Sequence, residues 1–255
     1  MTVVTMTAAL AVEASKARAA RTPRAIAAVF VLGVAAICGA TLLAVASGDA
    51  TITAKLGPTA SQPGWPGLLS TATQVTAAAG LLAQGVMLSW LVGREFADRT
   101  VGALFAQPVT RTTILAAKLV VFLGVAAVTA LALVLTVTAV AVATGQGLPG
   151  PDEARALGRL VVLVVCSALL TTPCAWAATA GRSLLPGIGL AIGLLAVAQI
   201  AVIAGGGAWF PPAAAALWAL SPSSVSAASL LGVLPWCLVG AAGAYRAWSV
   251  LELDR

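Results

Sequence analysis

From Ile26 to Ser47 the chain runs 22 residues without one charged side chain. As a helix this stretch is about 33 Å long, enough to cross a hydrocarbon core of about 30 Å. Five more apolar runs follow, at about 68–92, 119–143, 160–180, 184–204 and 227–248, and the only charge inside any of them is Arg246, near the end of the last. The pattern predicts an all-α polytopic membrane protein with six transmembrane helices. Composition agrees: 60% of the 255 residues are hydrophobic and 9% charged, whereas a soluble domain carries roughly 25% charged residues. Ala44-Val45-Ala46 resembles a signal-peptide cleavage site, but a signal core is usually about 7 to 15 residues long, so the first run is read as a retained span.

The net charge of +6 raises the question of nucleic acid, and the placement of the basic residues answers it against. They flank the apolar runs instead of clustering on one surface. With the amino terminus in the cytoplasm, eleven of the fourteen Lys and Arg fall on the inner side, and only Lys55, Arg155 and Arg159 lie outside. The positive-inside rule then sets both termini in the cytoplasm of a multi-pass protein of the cell membrane. Residues 1–25 form a cytoplasmic lead, and 26–255 form the membrane domain. Trp65, Trp209 and Trp218 on one side, with Trp90, Trp176 and Trp248 on the other, suit interfacial anchors. The connection Gly181-Arg182-Ser183 makes its two helices a hairpin, while Ala213–Leu220 is too short to span and is read as interfacial or re-entrant.

Several chemistries lack their residues. There is no His and no CxxC pair among Cys38, Cys166, Cys174 and Cys237, so the usual zinc and haem ligand sets are missing. None of the three lysines sits in a Walker pattern, so nucleotide chemistry has to come from another polypeptide. All eight carboxylates fall outside the expected spans, which argues against an ion-driven pump, because such machines keep an ionisable group within the membrane. Thr129, Thr136, Ser167, Thr171 and Gln199 lie within the spans. They could line a passage or make helix–helix hydrogen bonds. Gly187, Gly189 and Gly193 read as close-packing positions, and Pro173 and Pro235 as kinks.

The most polar interior stretch is 94–118. Ala97, Val101, Leu104 and Phe105 recur at helical spacing, opposite Glu95, Asp98, Arg99 and Gly102. An amphipathic helix at the inner face is expected, with Glu95 and Arg99 as an internal i, i+4 pair. Gln107-Pro108 ends it, and Thr110 caps a new helix that passes Lys118 into the third span. The product is an elbow able to move two transmembrane helices together, or, in the plainer reading, a helix that only seals the leaflet.

The run GREFADRTVGALFAQPVTRTTILAAKLVV resembles the connector between the second and third helices of ABC type 2 transporter permeases. The likeness lies in Glu95-Phe96, in Asp98, Thr100 and Gly102, in Leu104 with Pro108 to Arg111, and in Lys118; the family more often has Gly and Thr adjacent where this chain has Thr100-Val101-Gly102. The resemblance implies an ATPase-coupling role for Glu95, Phe96, Asp98, Arg99, Leu104, Pro108, Thr110 and Arg111. It also implies a separate ABC ATP-binding subunit that holds ATP and Mg, a second permease copy or related permease, and export. Membrane lipid and a hydrophobic or amphipathic cargo (drug, antibiotic or lipid) fit the apolar spans. No cofactor or catalytic residue is expected in the chain itself. The alternative is a membrane-embedded processing factor or a structural membrane protein.

Overall fold

A computed structural model describes residues 2–48, 61–105, 109–223 and 225–251. Among the described residues the secondary structure is all helical. Helix α1 spans Thr2–Ala19, α2 Arg21–Ala46, α3 Trp65–Ala97, α4 Val101–Phe105, α5 Arg111–Ala143, α6 Pro151–Leu170, α7 Thr172–Ala180, α8 Leu184–Ile203 and α9 Pro211–Leu220; a 3₁₀ turn, Ala227–Gly232, leads into α10, Val233–Ser249. Among the described residues six segments are long and apolar enough to cross a membrane: α2, α3, α5, α6 with α7, α8, and the 3₁₀ turn with α10. The lead expected as a polar segment is instead the helix α1, which packs on α5.

At 33 residues each, α3 and α5 are about 50 Å long, well beyond a 30 Å core. Both therefore continue past the expected boundaries at 92 and 119 towards the elbow. Near the elbow, Leu88, Leu115, Phe122, Ala178, Ala244 and Trp248 form one apolar cluster. Trp248 is fully buried there, so it is a core side chain and not the interfacial anchor expected from its position. At the far end Val34, Cys38, Leu68, Leu133 and Leu160 make a second cluster joining α2, α3, α5 and α6. A third joins α3, α6, α8 and α9 through Leu81, Leu170, Ala191 and Ala215. Large apolar side chains such as Val29, Leu135, Leu185 and Ile203 remain at least 71% exposed, and lipid is the medium that covers such a surface without cost.

Pro173 divides the fourth span. Without an amide hydrogen it cannot bond back to Leu169, and the helix breaks at Thr171. The freed carbonyls are satisfied elsewhere. Leu169 O accepts the Thr172 hydroxyl at 2.9 Å, and Leu170 O accepts the Trp236 indole N–H at 3.0 Å from α10. In an apolar surround an unpaired carbonyl is costly, so this bond fixes α10 against the break. Pro235 sits in the first turn of α10, which starts at Val233, and is tolerated there without kinking the helix.

Close approach uses only some of the glycines. A Cβ at Gly240 would lie 2.7 Å from both Pro173 Cδ and Thr172 Oγ1, and one at Gly187 would lie 2.8 Å from Cys174 O. At Gly189 and Gly193 an added Cβ meets nothing; these two are not the packing positions the sequence suggested. Accordingly, Gly240→Leu should destabilise the protein by about 1–3 kcal/mol through overpacking, seen as a lower Tm in detergent, while Gly189→Leu should leave the Tm unchanged.

Candidate functional site

The elbow is not one amphipathic helix. Helix α3 runs through Glu95 and Phe96 to Ala97, and a closed turn ends it: Asp98 N–H donates to Arg94 O at 2.8 Å, Arg99 N–H to Phe96 O at 3.2 Å and Thr100 N–H to Glu95 O at 2.9 Å. This is the Schellman arrangement, which needs a left-handed residue after the helix. Arg99 occupies that place at φ +57°. The same turn closes α7 with Arg182 at φ +46°, whereas the turns after α5 and α8 use Gly145 and Gly205. A non-glycine residue there costs roughly 1–2 kcal/mol, partly offset because a cation suits a helix C-terminus.

The turn explains why the expected Glu95–Arg99 pair does not form. Arg99 leaves the helix and, with Asp98, is exposed, while Glu95 points into the protein at 4% exposure. Phe96 packs edge-on against Trp248, ring centroids 6.3 Å apart. Leu104 lies in the short α4. Gln107 and Pro108, the expected helix stop, fall outside the described residues. Thr110 caps α5, its hydroxyl accepting from Thr113 N–H at 3.2 Å. Arg111 donates through its guanidinium to the carbonyl of Leu251, just beyond α10.

At the base of the elbow four charges meet. Lys118, 1% exposed, donates to Glu13 Oε2 at 2.8 Å and to Glu95 Oε1 at 2.9 Å. Lys16 donates to Glu13 Oε1 at 2.8 Å and to Glu95 Oε1 at 3.1 Å. Two cations and two carboxylates from α1, α3 and α5 thus form a neutral cluster. Burying any one of these charges alone would cost several kcal/mol, so each requires the others. Glu95 Oε2 is buried with no hydrogen-bond partner. Glu13 and Glu95 lie outside the apolar runs, as the sequence indicates, yet both are buried, because α3 extends beyond its apolar run and α1 packs on α5. The signal available in the sequence was Lys118 itself, a lone ammonium between Ala117 and Leu119, which demands a counter-charge.

Burial would raise the Glu13 carboxyl, but the charge and hydrogen bond of Lys118, with those of Lys16, outweigh it and hold Glu13 below its ordinary 4.5. Burial would lower the Lys16 ammonium, and the hydrogen bond to Glu13 with the charge of Glu95 instead keeps it above 10.5.

The polar residues of the spans are mostly turned on their own helices. Thr129 donates to Val125 O, Thr136 to Ala132 O, Ser167 to Leu163 O and Thr171 to Ala168 O, all at 2.7–2.8 Å. Such back-bonding satisfies a hydroxyl in an apolar surround without a cross-helix partner. Gln199 differs: it is exposed and, with Gln74, lines a small cavity of about 170 Å³ between α3, α8 and α9. The structure therefore does not bring the five together in one passage.

Removing one member of the ion cluster should be severe. Lys118→Met leaves two carboxylates buried without it, a loss of about 3–5 kcal/mol, and should release α1, read as faster tryptic cleavage at Arg18, Arg21 and Arg24. The pH dependence has two edges. Glu13, lowered in the fold, contributes stability that is full above 4.5 and lost as pH falls through its depressed value; Lys16, raised, contributes stability that is full below 10.5 and lost as pH rises beyond it. The difference in Tm between the wild type and Glu13→Gln should be flat around neutrality and narrow on acidification below pH 4.5.

A search of curated proteins returns no match to the chain. The family model described as ABC-2 family transporter protein matches residues 9–198, from α1 with the ion cluster, across the elbow, into α8. Among the described residues six apolar segments are long enough to span a bilayer, two of them, α3 and α5, meeting at the elbow, in accord with a match that covers most of the chain. The chain belongs to the ABC-2 transporter family, as a membrane permease of the ABC type.

Proposed function

We propose that the chain is the membrane-spanning subunit of an ATP-driven exporter, and that the elbow at 94–111 docks on a separate ATP-binding subunit in the cytoplasm. The observation that carries this reading is how the elbow is held. Its exposed tip, Asp98 and Arg99, is continuous with α3, and its exit is the capped start of α5. Glu95 and Lys118 tie both helices to α1, and Arg111 ties the exit to the end of α10. A push on the tip reaches the first, second, third and last spans through charged bonds and packed side chains instead of being absorbed by a loose loop.

The orientation with both termini inside rests on the eleven-to-three division of basic residues. Two permease copies, or one with a related permease, enclose the passage between them, and ATP-driven closure of the ATPase pair widens or narrows it. The cargo is a hydrophobic or amphipathic compound, in keeping with spans whose apolar runs hold no charge but Arg246. Coupling residues in this scheme are Glu95, Phe96, Asp98, Arg99, Leu104, Pro108, Thr110 and Arg111, with Asp98 and Arg99 making contact and Glu95 and Arg111 passing the movement on.

The test is copurification of the ATP-binding subunit with the full chain. Reversing both charges, Asp98→Lys with Arg99→Glu, should abolish it while membrane insertion and Tm stay unchanged, since both side chains are exposed. Undiminished copurification would sink the docking role.

A further inference from the structure

A groove of about 500 Å³ runs between α1, α2 and α5 beside the ion cluster. Arg18, late in α1, and Arg24, in the first turn of α2, stand at one end; Val121, Gly124 and Val128 line its length along α5. From Val121 to Thr129 is two turns of helix, roughly 12 Å, close to half of a hydrocarbon core of about 30 Å. Arg18 and Arg24 are the only charged side chains in the lining, and the hydroxyl of Thr129 is occupied by Val125 O. No carboxylate lines the groove to neutralise them; Glu13 is engaged by Lys16 and Lys118 in the neighbouring cluster.

Arg24 is set in place before any ligand arrives. Its Nε donates to Ala20 O at 3.1 Å and one terminal nitrogen to Ala19 O at 3.2 Å, which holds the guanidinium across the junction of α1 and α2. Comparable grooves between α2 and α3, and beneath Pro173, have no charged residue in their linings. Here alone among these grooves does an apolar slot of one-leaflet depth end in fixed positive charge. Basic pockets between membrane helices are suited to anionic lipid headgroups.

We propose that this groove is a binding site for one anionic phospholipid of the leaflet on the elbow side, an acyl chain lying along Gly124 and the phosphate paired with Arg18 and Arg24. The leaflet assignment rests on the orientation given above; the site itself does not. Gly124 keeps the slot open, since a Cβ there would meet nothing within 4 Å. A seated lipid would press on the same helix that carries Glu13 and Lys16, so the headgroup would add to the ion cluster's hold on α1.

The experiment reconstitutes the full chain in nanodiscs of equal phosphatidylglycerol and phosphatidylcholine, re-extracts it in mild detergent and measures the retained lipids by native mass spectrometry. Phosphatidylglycerol should be retained in preference, by about five-fold for each arginine, the equivalent of about 1 kcal/mol each, and the preference should weaken with salt. Arg18→Gln with Arg24→Gln should remove the preference, and Gly124→Leu should remove the retained lipid of either kind with the Tm in detergent unchanged. Retention of the two lipids in equal amounts by the wild type, or a preference untouched by either variant, overturns the proposal. Copurification of the ATP-binding subunit by the same variants, read in parallel, separates failure of the lipid site from failure of the docking role.

Discussion

The burial of Lys118 is the constraint on which the elbow end of the molecule depends. An ammonium at 1% exposure is tolerable only with opposite charge against it, and the two carboxylates that supply it come from helices far apart in sequence, Glu13 on α1 and Glu95 on α3. Lys16 completes the cluster and balances its charge. Because the four charges need one another, α1 cannot drift from α5, nor can the end of α3, without exposing an unpaired charge to an apolar surround. The attachment of α1 to α3 and α5 follows from this mutual need more than from the intrinsic preference of any one segment for helix.

A second consequence of the apolar setting is that polar groups are settled locally wherever possible. Hydroxyls of Thr129, Thr136, Ser167 and Thr171 return to carbonyls of their own helices, which leaves helix contacts to shape. Where the helix itself is interrupted, at Pro173, one freed carbonyl is met by Thr172 and the next by Trp236 of α10. Gly240 then allows the backbones of α7 and α10 to close on each other. A break that would be a weak point in lipid becomes a fixed junction between the fourth and sixth spans.

Taken together, the elbow end is rich in charged and hydrogen-bonded ties and the opposite end is held chiefly by apolar packing. That asymmetry suits a part that receives force at one end. The ion cluster joins the end of α3 to α1 and α5, Arg111 ties the start of α5 to Leu251, and Arg18 and Arg24 lie beside the cluster.

Much of this protein could be read along the chain. Uninterrupted apolar runs of helical span length report directly on the solvent, because lipid leaves a backbone few ways to satisfy its polar groups; the six spans, the cap at Thr110 and the break at Pro173 all follow from local chemistry. Only the tertiary structure decided the rest. The amphipathic spacing of Ala97, Val101, Leu104 and Phe105 suggested one helix, but a Schellman turn at Arg99 divides it, since closure of α3 satisfies three amides at once. Glu95 has a helical neighbour at Arg99, yet it pairs with Lys16 and Lys118, residues 79 and 23 positions away. Periodicity sees what is adjacent on one helix, whereas a buried charge takes its partner from whichever helix the fold brings against it, and that distance in sequence is what no local pattern records.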